Sequence, residues 1–549
     1  MSKAAGSATA AEKHLTIRAI SPSWGCIPLV AVAVVVLAGS VFAQHDHHGG
    51  HQALGKVHFP IACRGEAQTL FDRAMLYQHS FWYSAARQAY EQVLRADPDC
   101  AIAYWGIAQS LLLNPFGPTP ASNLQEGRAL IAKARGLAGV PERERAYIDA
   151  IGSYYEPADN VSQRDRLQAY VKATEAVAQK YPADEEAQIF HALALNMAAP
   201  PNDKSYALQL KAAAILEPIF ARRPEHPGVA HYLIHTYDYP AIAGKGLAAA
   251  KRYAEIAGAS PHALHMPSHI FTRAGLWQDS IASNIRSAQI AKTDKEPDDQ
   301  LHAMDYMVYA YLQLAQDAEA RAVLDEMQGV TGINESRHTG PFALAASAAR
   351  YALEHGDWAG AARLPARPSR FAHVDAMTHF ARALGAARAG RPAEAAIDIA
   401  RLAELRDKLH EQKNGYWAEQ VDIQWRVAGA WKLHAEGEAD QALAALGKAA
   451  DAEDATEKHV VTPGPLLPAR ELLAEMMLGR AMAKEALREY ESVLMKEPVR
   501  LRAAFGAGEA AEKAGDAAAA RRYYAKVAEL PGGDRAEVRK ARAFVAAGR

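Results

Sequence analysis

Three segments of this 549-residue chain share one spacing, in which tyrosine follows alanine after four residues and proline follows after eight more. The sets are Ala86/Tyr90/Pro98, Ala486/Tyr490/Pro498 and Ala519/Tyr523/Pro531. Residues four apart share one face of a helix, and proline marks the end of that helix. The spacing therefore predicts similar helices that recur along the chain, each of which needs neighbours to cover its apolar face.

This spacing resembles the second helix of the tetratricopeptide repeat, in which a small residue permits close packing and an aromatic fills the groove between helices. Turn glycines at Gly275, Gly356 and Gly390 extend the resemblance to other units. The fold that it implies is an all-α, tetratricopeptide-type α-solenoid of about eleven helical hairpins between Glu66 and Leu530. The Ala-rich composition, with few β-branched runs beyond the N-terminus, also favours an all-helical chain.

An apolar run from Ile27 to Ala43 follows a basic lead-in, and Val41 and Ala43 fit the small-residue rule of signal peptidase. We therefore predict a signal peptide over residues 1–43, cleavage after Ala43, and a periplasmic or secreted protein. An uncleaved membrane anchor is the alternative, although the run is short for a span. No other segment approaches spanning length, so no membrane contact is expected after cleavage.

Export also changes how the cysteines are interpreted. Two of them, Cys63 and Cys100, would remain in the mature chain, and an even pair in an oxidising compartment predicts a disulfide. The bond would join the two ends of the first predicted hairpin. Two unpaired buried thiols are the alternative.

Residues 44–62 form a segment in which five histidines stand among glycines. Such a tract cannot pack as a core, so we predict a disordered N-terminal segment that captures metal ions. A solvated polar tail is an equal alternative. The histidines concerned are His45, His47, His48, His51 and His58.

The predicted array is divided near residue 335, because the stretch from Met327 to Pro341 loosens the repeat pattern. An N-terminal array then covers residues 63–335 and a C-terminal array residues 336–549. A continuous solenoid is equally compatible with the pattern.

Two His-x-x-x-His pairs, His231/His235 and His265/His269, lie one repeat apart. Side chains four apart on a helix share a face, and neighbouring helices pack with axes about 8–10 Å apart. The tetratricopeptide resemblance implies that both pairs line the concave face of adjacent units. It implies the same for His262, on the unit of the second pair, and for His302 and Asp305, on the next unit.

We therefore predict a metal site with zinc, copper or iron as the candidate ions, because these metals suit nitrogen-rich ligand sets with little sulfur. Asp305 would add a carboxylate ligand or orient an imidazole. The predicted ligands are His231, His235, His262, His265, His269, His302 and Asp305.

Two alternatives from other functional classes remain open. The first is a scaffold whose concave groove binds a peptide or protein partner without metal, the usual role of such arrays. The second is a metal-dependent enzyme with its active site in the groove and Asp305 or Asp238 as general base. Whether the protein is an enzyme is left open by the sequence.

Other functions are excluded by what the sequence lacks. The formal net charge is −2 and no long basic stripe is present, so nucleic acid is not an expected partner. No phosphate-binding glycine loop, dinucleotide fingerprint or haem-attachment motif occurs. The block from His231 to Trp277 and the segment from His79 to Ala108 resemble a group of secreted bacterial tetratricopeptide proteins, a resemblance that implies fold and export but no activity.

Overall fold

The computed structural model of the protein describes residues 54–113, 115–117, 119–156 and 160–548. The predicted signal peptide over 1–43, and the first ten residues of the predicted His-rich segment, lie outside the described residues. Within the described ranges the regular structure is entirely helical and contains no strand.

The first half of the described chain contains α1 (Ala67–His79), α2 (Tyr83–Ala96), α3 (Ala101–Ser110), α4 (Ala121–Gly136), α5 (Glu142–Tyr155), α6 (Gln163–Lys180), α7 (Glu185–Ala198), α8 (Ala207–Arg222), α9 (Pro227–Tyr237), α10 (Leu247–Ile256), α11 (Pro261–His265), α12 (Pro267–Arg273), α13 (Trp277–Asp294) and α14 (Pro297–Gln313). A short 3-10 helix, Ala243–Gly246, precedes α10.

The second half contains α15 (Asp317–Gln328), α16 (Thr339–Glu354), α17 (Trp358–Ala361), α18 (Ala372–Arg388), α19 (Pro392–Glu411), α20 (Gly415–Ala435), α21 (Ala439–Ala455), α22 (Ala469–Gly479), α23 (Ala483–Lys496), α24 (Leu501–Ala514), α25 (Ala517–Ala528) and α26 (Ala536–Ala546). Most consecutive helices pack against each other, as expected for stacked hairpins.

Two of the three repeated tyrosines pack as the spacing predicts. Tyr90 is fully buried, and a Cβ atom added to Gly106 on the next helix would overlap its ring. Tyr490 and Gly506 repeat this arrangement near the C-terminus. The aromatic ring thus occupies a groove that only glycine leaves open, and the prediction of an all-α, tetratricopeptide-type solenoid is confirmed.

The residues before the first hairpin are packed on it. Phe59 is fully buried, and its ring lies 5.3 Å from that of Phe71 and 5.7 Å from that of Trp105. His58 contacts Asp72, with Nδ1 and Oδ2 2.7 Å apart. Residues 54–62, the described part of the segment predicted to be disordered, are therefore packed on the first hairpin. The glycines of the segment suggested disorder, but the buried Phe59 ring fixes the chain at this point.

Cys63 and Cys100 are joined by a disulfide. Cys63 precedes α1 and Cys100 precedes α3, so the bond joins the two ends of the first hairpin.

One hydrophobic core contains residues from both sides of position 335. Trp277, Ile281 and Tyr309 of α13 and α14 share it with residues of α22 to α26. The buried Arg500 guanidinium reinforces this contact through ion pairs to Glu354 and Glu471. The C-terminal helices therefore pack directly on the middle of the array.

The connection between α21 and α22 lies against several earlier helices. Tyr306 donates a hydrogen bond to the carbonyl of Thr462, and Arg350 donates to the carbonyl of Gly464. Lys458 reaches Asp238. We refer to residues 456–468 as the covering segment, because it packs on one face of α14 and α16.

None of the helices in the described ranges has the length and apolar character needed to cross a membrane.

Candidate metal centre

The six predicted histidines lie together, although four separate helices supply them. Pro267, which has no N–H to donate, separates α11 from α12 between His265 and His269. Six side chains converge and divide by distance into two sets. The first histidine set is His231, His235 and His262; the second histidine set is His265, His269 and His302.

In the first histidine set three imidazole nitrogens point at one another. The Nε2 atom of His231 lies 3.2 Å from Nε2 of His235 and 3.2 Å from Nε2 of His262. Each residue offers one nitrogen within 4.8 Å of the others. The Phe81 ring, 4.3 Å from the His231 ring, covers one side of the set and keeps its surroundings apolar.

In the second histidine set the Nε2 atoms of His265 and His269 are 2.9 Å apart. The His302 ring lies 4.3 Å from that of His265. The three residues again offer one nitrogen each within 4.8 Å of the others. Tyr306 packs on the set, with its ring 4.6 Å from His265 and 5.2 Å from His269.

The remote nitrogen of three of these imidazoles faces an oxygen acceptor. Nδ1 of His231 lies 2.7 Å from the carbonyl of His79, and Nδ1 of His269 lies 2.9 Å from Oδ2 of Asp238. Nδ1 of His265 lies 2.7 Å from Oδ1 of Asn284. The amide of Asn284 is oriented by its Nδ2, which donates to the carbonyl of Ser280 at 2.8 Å.

These contacts assign the tautomers, because an oxygen acceptor requires a proton on the nitrogen that faces it. In their neutral forms His231, His265 and His269 therefore carry the proton on Nδ1 and a lone pair on Nε2. The Nε2 atoms of His265 and His269, 2.9 Å apart, then face each other with two lone pairs and no proton between them, so this contact is not a hydrogen bond. A cation between them would relieve the repulsion.

The histidines are also held uncharged. Burial lowers the pKa of all six below the ordinary histidine value, and repulsion by neighbouring histidines lowers it further in five of them. For His269 the repulsion comes from Lys458 and Arg273, and Asp238 partly offsets it. The pKa of His262 falls to about 3. Neutral imidazole is the form that binds metal, so the sets remain competent as ligands well below pH 7.

Asp238 follows α9 directly and connects the second histidine set to two cations. Its carboxylate accepts from His269, from Arg273 at 3.0 Å and from Lys458 at 2.8 Å. Burial acts to raise the pKa of Asp238, but Lys458, Arg273 and His269 together hold it well below its usual range. A carboxylate so occupied orients His269, so the general-base role considered for Asp238 does not fit its surroundings.

Asp305 does not join the histidines. It is fully buried, and its Oδ1 accepts from Arg350 at 2.6 Å and from Ser347 at 2.8 Å. It lies three residues after His302 on α14 and is turned toward α16, which supplies both partners. The predicted carboxylate ligand is thus used in an ion pair between helices.

A third group, His79, Glu186 and His226, has the composition of a metal site but complete hydrogen bonding. Glu186 contacts Nε2 of His79 at 3.0 Å and Nε2 of His226 at 2.8 Å. The other ring nitrogen of His79 contacts the hydroxyl of Tyr232, and that of His226 accepts from the amide of Val229. This group satisfies itself without a cation, so we assign it a structural role.

Each histidine set keeps one residue at the surface of the cluster. His262 and His302 are partly exposed, whereas the other four histidines are buried. These two residues are the members of the sets that lie nearest to solvent. A cavity of about 620 Å³ lies on the other side of the Asp238 ion pairs, and Arg273 and Lys458 are among its lining residues.

Repeat spacing alone could not identify the supporting residues. Asn284 and the His79 carbonyl lie 19 and 152 residues from the imidazoles that they contact. Lys458 belongs to a connection with no repeat pattern. His79 and Glu186 lie in helices that contain no His-x-x-x-His pair, so the sequence offers no reason to group them.

No family model matches the chain, and no curated protein matches it. Three solved structures show distant similarity. Yeast Tom70 is 12% identical and covers 88% of this chain and 95% of its own, with a TM-score of 0.26. A chain in the structure of the APC/C hetero-tetramer Cut9–Hcn1 is 11% identical and covers 87% of this chain and 96% of its own, with a TM-score of 0.28. The TPR domain of P58(IPK) is 12% identical, with coverages of 88% and 99% and a TM-score of 0.21. Similarities this distant add nothing to the helical packing described above.

Proposed function

We propose that this protein binds transition-metal ions through the two buried histidine sets of its helical array. The observation that carries the proposal is the contact between His265 and His269. Their Nε2 atoms lie 2.9 Å apart while both Nδ1 protons are donated elsewhere. Two facing lone pairs are unfavourable in an apolar core and favourable around a cation.

The contacts behind the imidazoles support the same conclusion. Histidines that bind metal usually donate their other N–H to a carboxylate, a carbonyl or water, which fixes the ring and raises its basicity. His269 has a carboxylate in this position, His231 a backbone carbonyl and His265 an amide oxygen. The third group, around Glu186, lacks this arrangement because its carboxylate occupies the space between the rings.

Export completes the proposal. The apolar run that ends at Ala43 supports translocation, and the Cys63–Cys100 disulfide suits an oxidising compartment. In that setting the histidines of residues 44–53 would capture ions and supply them to the array. The protein would then handle or use metal outside the cytoplasm.

A metal analysis tests the proposal. All compared proteins are produced without a histidine tag and carry alanine at His45, His47, His48 and His51, so that only the array contributes. We expect about one ion or more of copper, zinc or iron per chain in this background, and loss of that metal on replacing both His231 and His265 by alanine.

The matched control is His191→Ala, which removes a buried histidine outside both sets and should leave the metal content unchanged. Circular dichroism establishes that each variant remains helical. Equal metal in the double variant, or none in the background protein after incubation and washing, would overturn the proposal.

A second prediction concerns the support behind His269. Replacing Asp238 with asparagine removes the negative charge that His269 donates to, so we expect metal affinity to fall by about 10–100-fold. Competition with a chromophoric chelator measures the change. Asp398→Asn is the control, because Asp398 pairs with His379 and Arg382 in the same manner away from both sets. An unchanged affinity for Asp238→Asn would contradict the assigned role.

The scaffold alternative is less favoured by the described contacts. The covering segment already holds the face of α14 and α16 through Tyr306 and Arg350. A peptide could reach the histidines from that side only by displacing the segment.

A further inference from the structure

We propose that the two histidine sets together hold a pair of copper ions, one in each set, that share a small bridging ligand. This inference rests on the proposed metal binding and deepens it by specifying the number of ions and their identity.

The first argument is the equal division of the ligands. Three nitrogens per ion leave a coordination position open for a small ligand, as in catalytic zinc sites with three protein ligands. Both sets have this composition, and each brings its nitrogens within 4.8 Å of one another. A single tetrahedral ion would use four histidines and leave two others without a partner.

The second argument is the closeness of the sets. The His235 and His269 rings, which belong to different sets, have centroids 6.0 Å apart. Within the first set, the His235 and His262 centroids are 6.4 Å apart. Rings of different sets therefore lie as close together as rings within one set, and paired metal sites require such closeness, because their ions lie about 3.5–4 Å apart and share ligands.

The third argument selects the metal by charge. All six donors are neutral, and the nearby carboxylates are already paired: Asp238 with Arg273 and Lys458, and Asp305 with Arg350. Every bound ion therefore adds uncompensated charge to a buried site, which is costly. Monovalent copper adds the least charge, imidazole suits it, and divalent copper leads the affinity order of the first-row metals.

The test counts copper in the full chain, again with alanine at His45, His47, His48 and His51. The protein is freed of metal with a chelator, loaded anaerobically with copper and ascorbate, desalted and analysed for copper. We expect about two ions per chain. His262→Gln and His302→Gln, at the two partly exposed positions, should each hold one, the pair of substitutions none, and His191→Ala two.

Electron paramagnetic resonance after oxidation with ferricyanide tests the pairing. Two bridged Cu(II) ions couple, so the background protein should give a signal well below its copper content, whereas each single variant should give its full signal. One copper in the background protein, or two with full signal, would overturn the paired centre and leave metal binding intact. No copper would overturn the proposed function itself.

Discussion

Replacing Arg500 with alanine is expected to lower the free energy of unfolding by about 3–5 kcal/mol, the usual result of removing one partner from a buried ion pair. Arg500 is fully buried and donates to Glu471 at 2.6 Å and to Glu354 at 2.7 Å. It also reaches the hydroxyl of Tyr309 at 3.3 Å. The substitution leaves two buried carboxylates short of their shared cation.

The effect should be structural as well as energetic, because these partners stand on different helices. Tyr309 belongs to α14, Glu354 to α16 and Glu471 to α22, so Arg500 joins the C-terminal helices to the middle of the array. Urea denaturation of the metal-free protein, followed by circular dichroism, measures the loss.

The control for Arg500 is Arg522→Ala, which breaks an exposed pair with Glu491 and should cost less than about 1 kcal/mol. If Arg500→Ala were as mild as this control, the network around Arg500 would not hold the helices together.

The repeat pattern predicted the fold because it depends on local spacing. A tyrosine eight residues before a proline meets the next helix at a fixed distance, which is why Tyr90 and Tyr490 both find glycines there. Phe59 shows the limit of such reasoning. The glycines that precede it in the sequence predict disorder, and only its ring contacts with Phe71 and Trp105 explain why it is buried.

The same contrast applies to the candidate metal centre. The repeat length correctly predicted that the six histidines lie together, because residues one repeat apart occupy equivalent positions on neighbouring units. It failed for Asp305, since a three-residue step turns the side chain toward α16 and the partner, Arg350, lies 45 residues further along the chain. The role of Asp238 likewise depends on Lys458, 220 residues away.

Mild acid is expected to destabilise the metal-free protein strongly. The pKa values of the six histidines are lowered by burial in the folded state, whereas in the unfolded chain they return to about 6.5. The unfolded state therefore binds more protons below pH 6.5. Stability is full above that pH and is lost as the pH falls toward the folded values, about 3 for the pKa of His262.

The size of the effect follows from the number of groups. Each histidine lowers the free energy of unfolding by about 1.4 kcal/mol per pH unit once the unfolded chain is protonated, so six together remove roughly 8 kcal/mol per unit. Glu453 acts in the opposite direction, since burial raises its pKa to about 8. Burial also raises the pKa of five other carboxyls, which act in the same direction as Glu453: Glu144, Glu296, Asp299, Asp305 and Glu471. Further histidines add to the loss, because burial lowers their pKa as well: His338, His373 and His459. A typical domain has only about 5–15 kcal/mol in total.

Urea midpoints of the metal-free protein at pH 7.5, 6.5 and 5.5 measure this dependence, and we expect a steep fall over the lower interval. His262→Gln should reduce the slope by about one proton, because it removes one of the six groups. His410→Gln, at an exposed position, should leave the slope unchanged. Equal midpoints at pH 7.5 and 5.5 would mean that the histidines are not held neutral by burial. The lone-pair contact between His265 and His269 would then be bridged by a proton, and the need for a metal ion there would disappear.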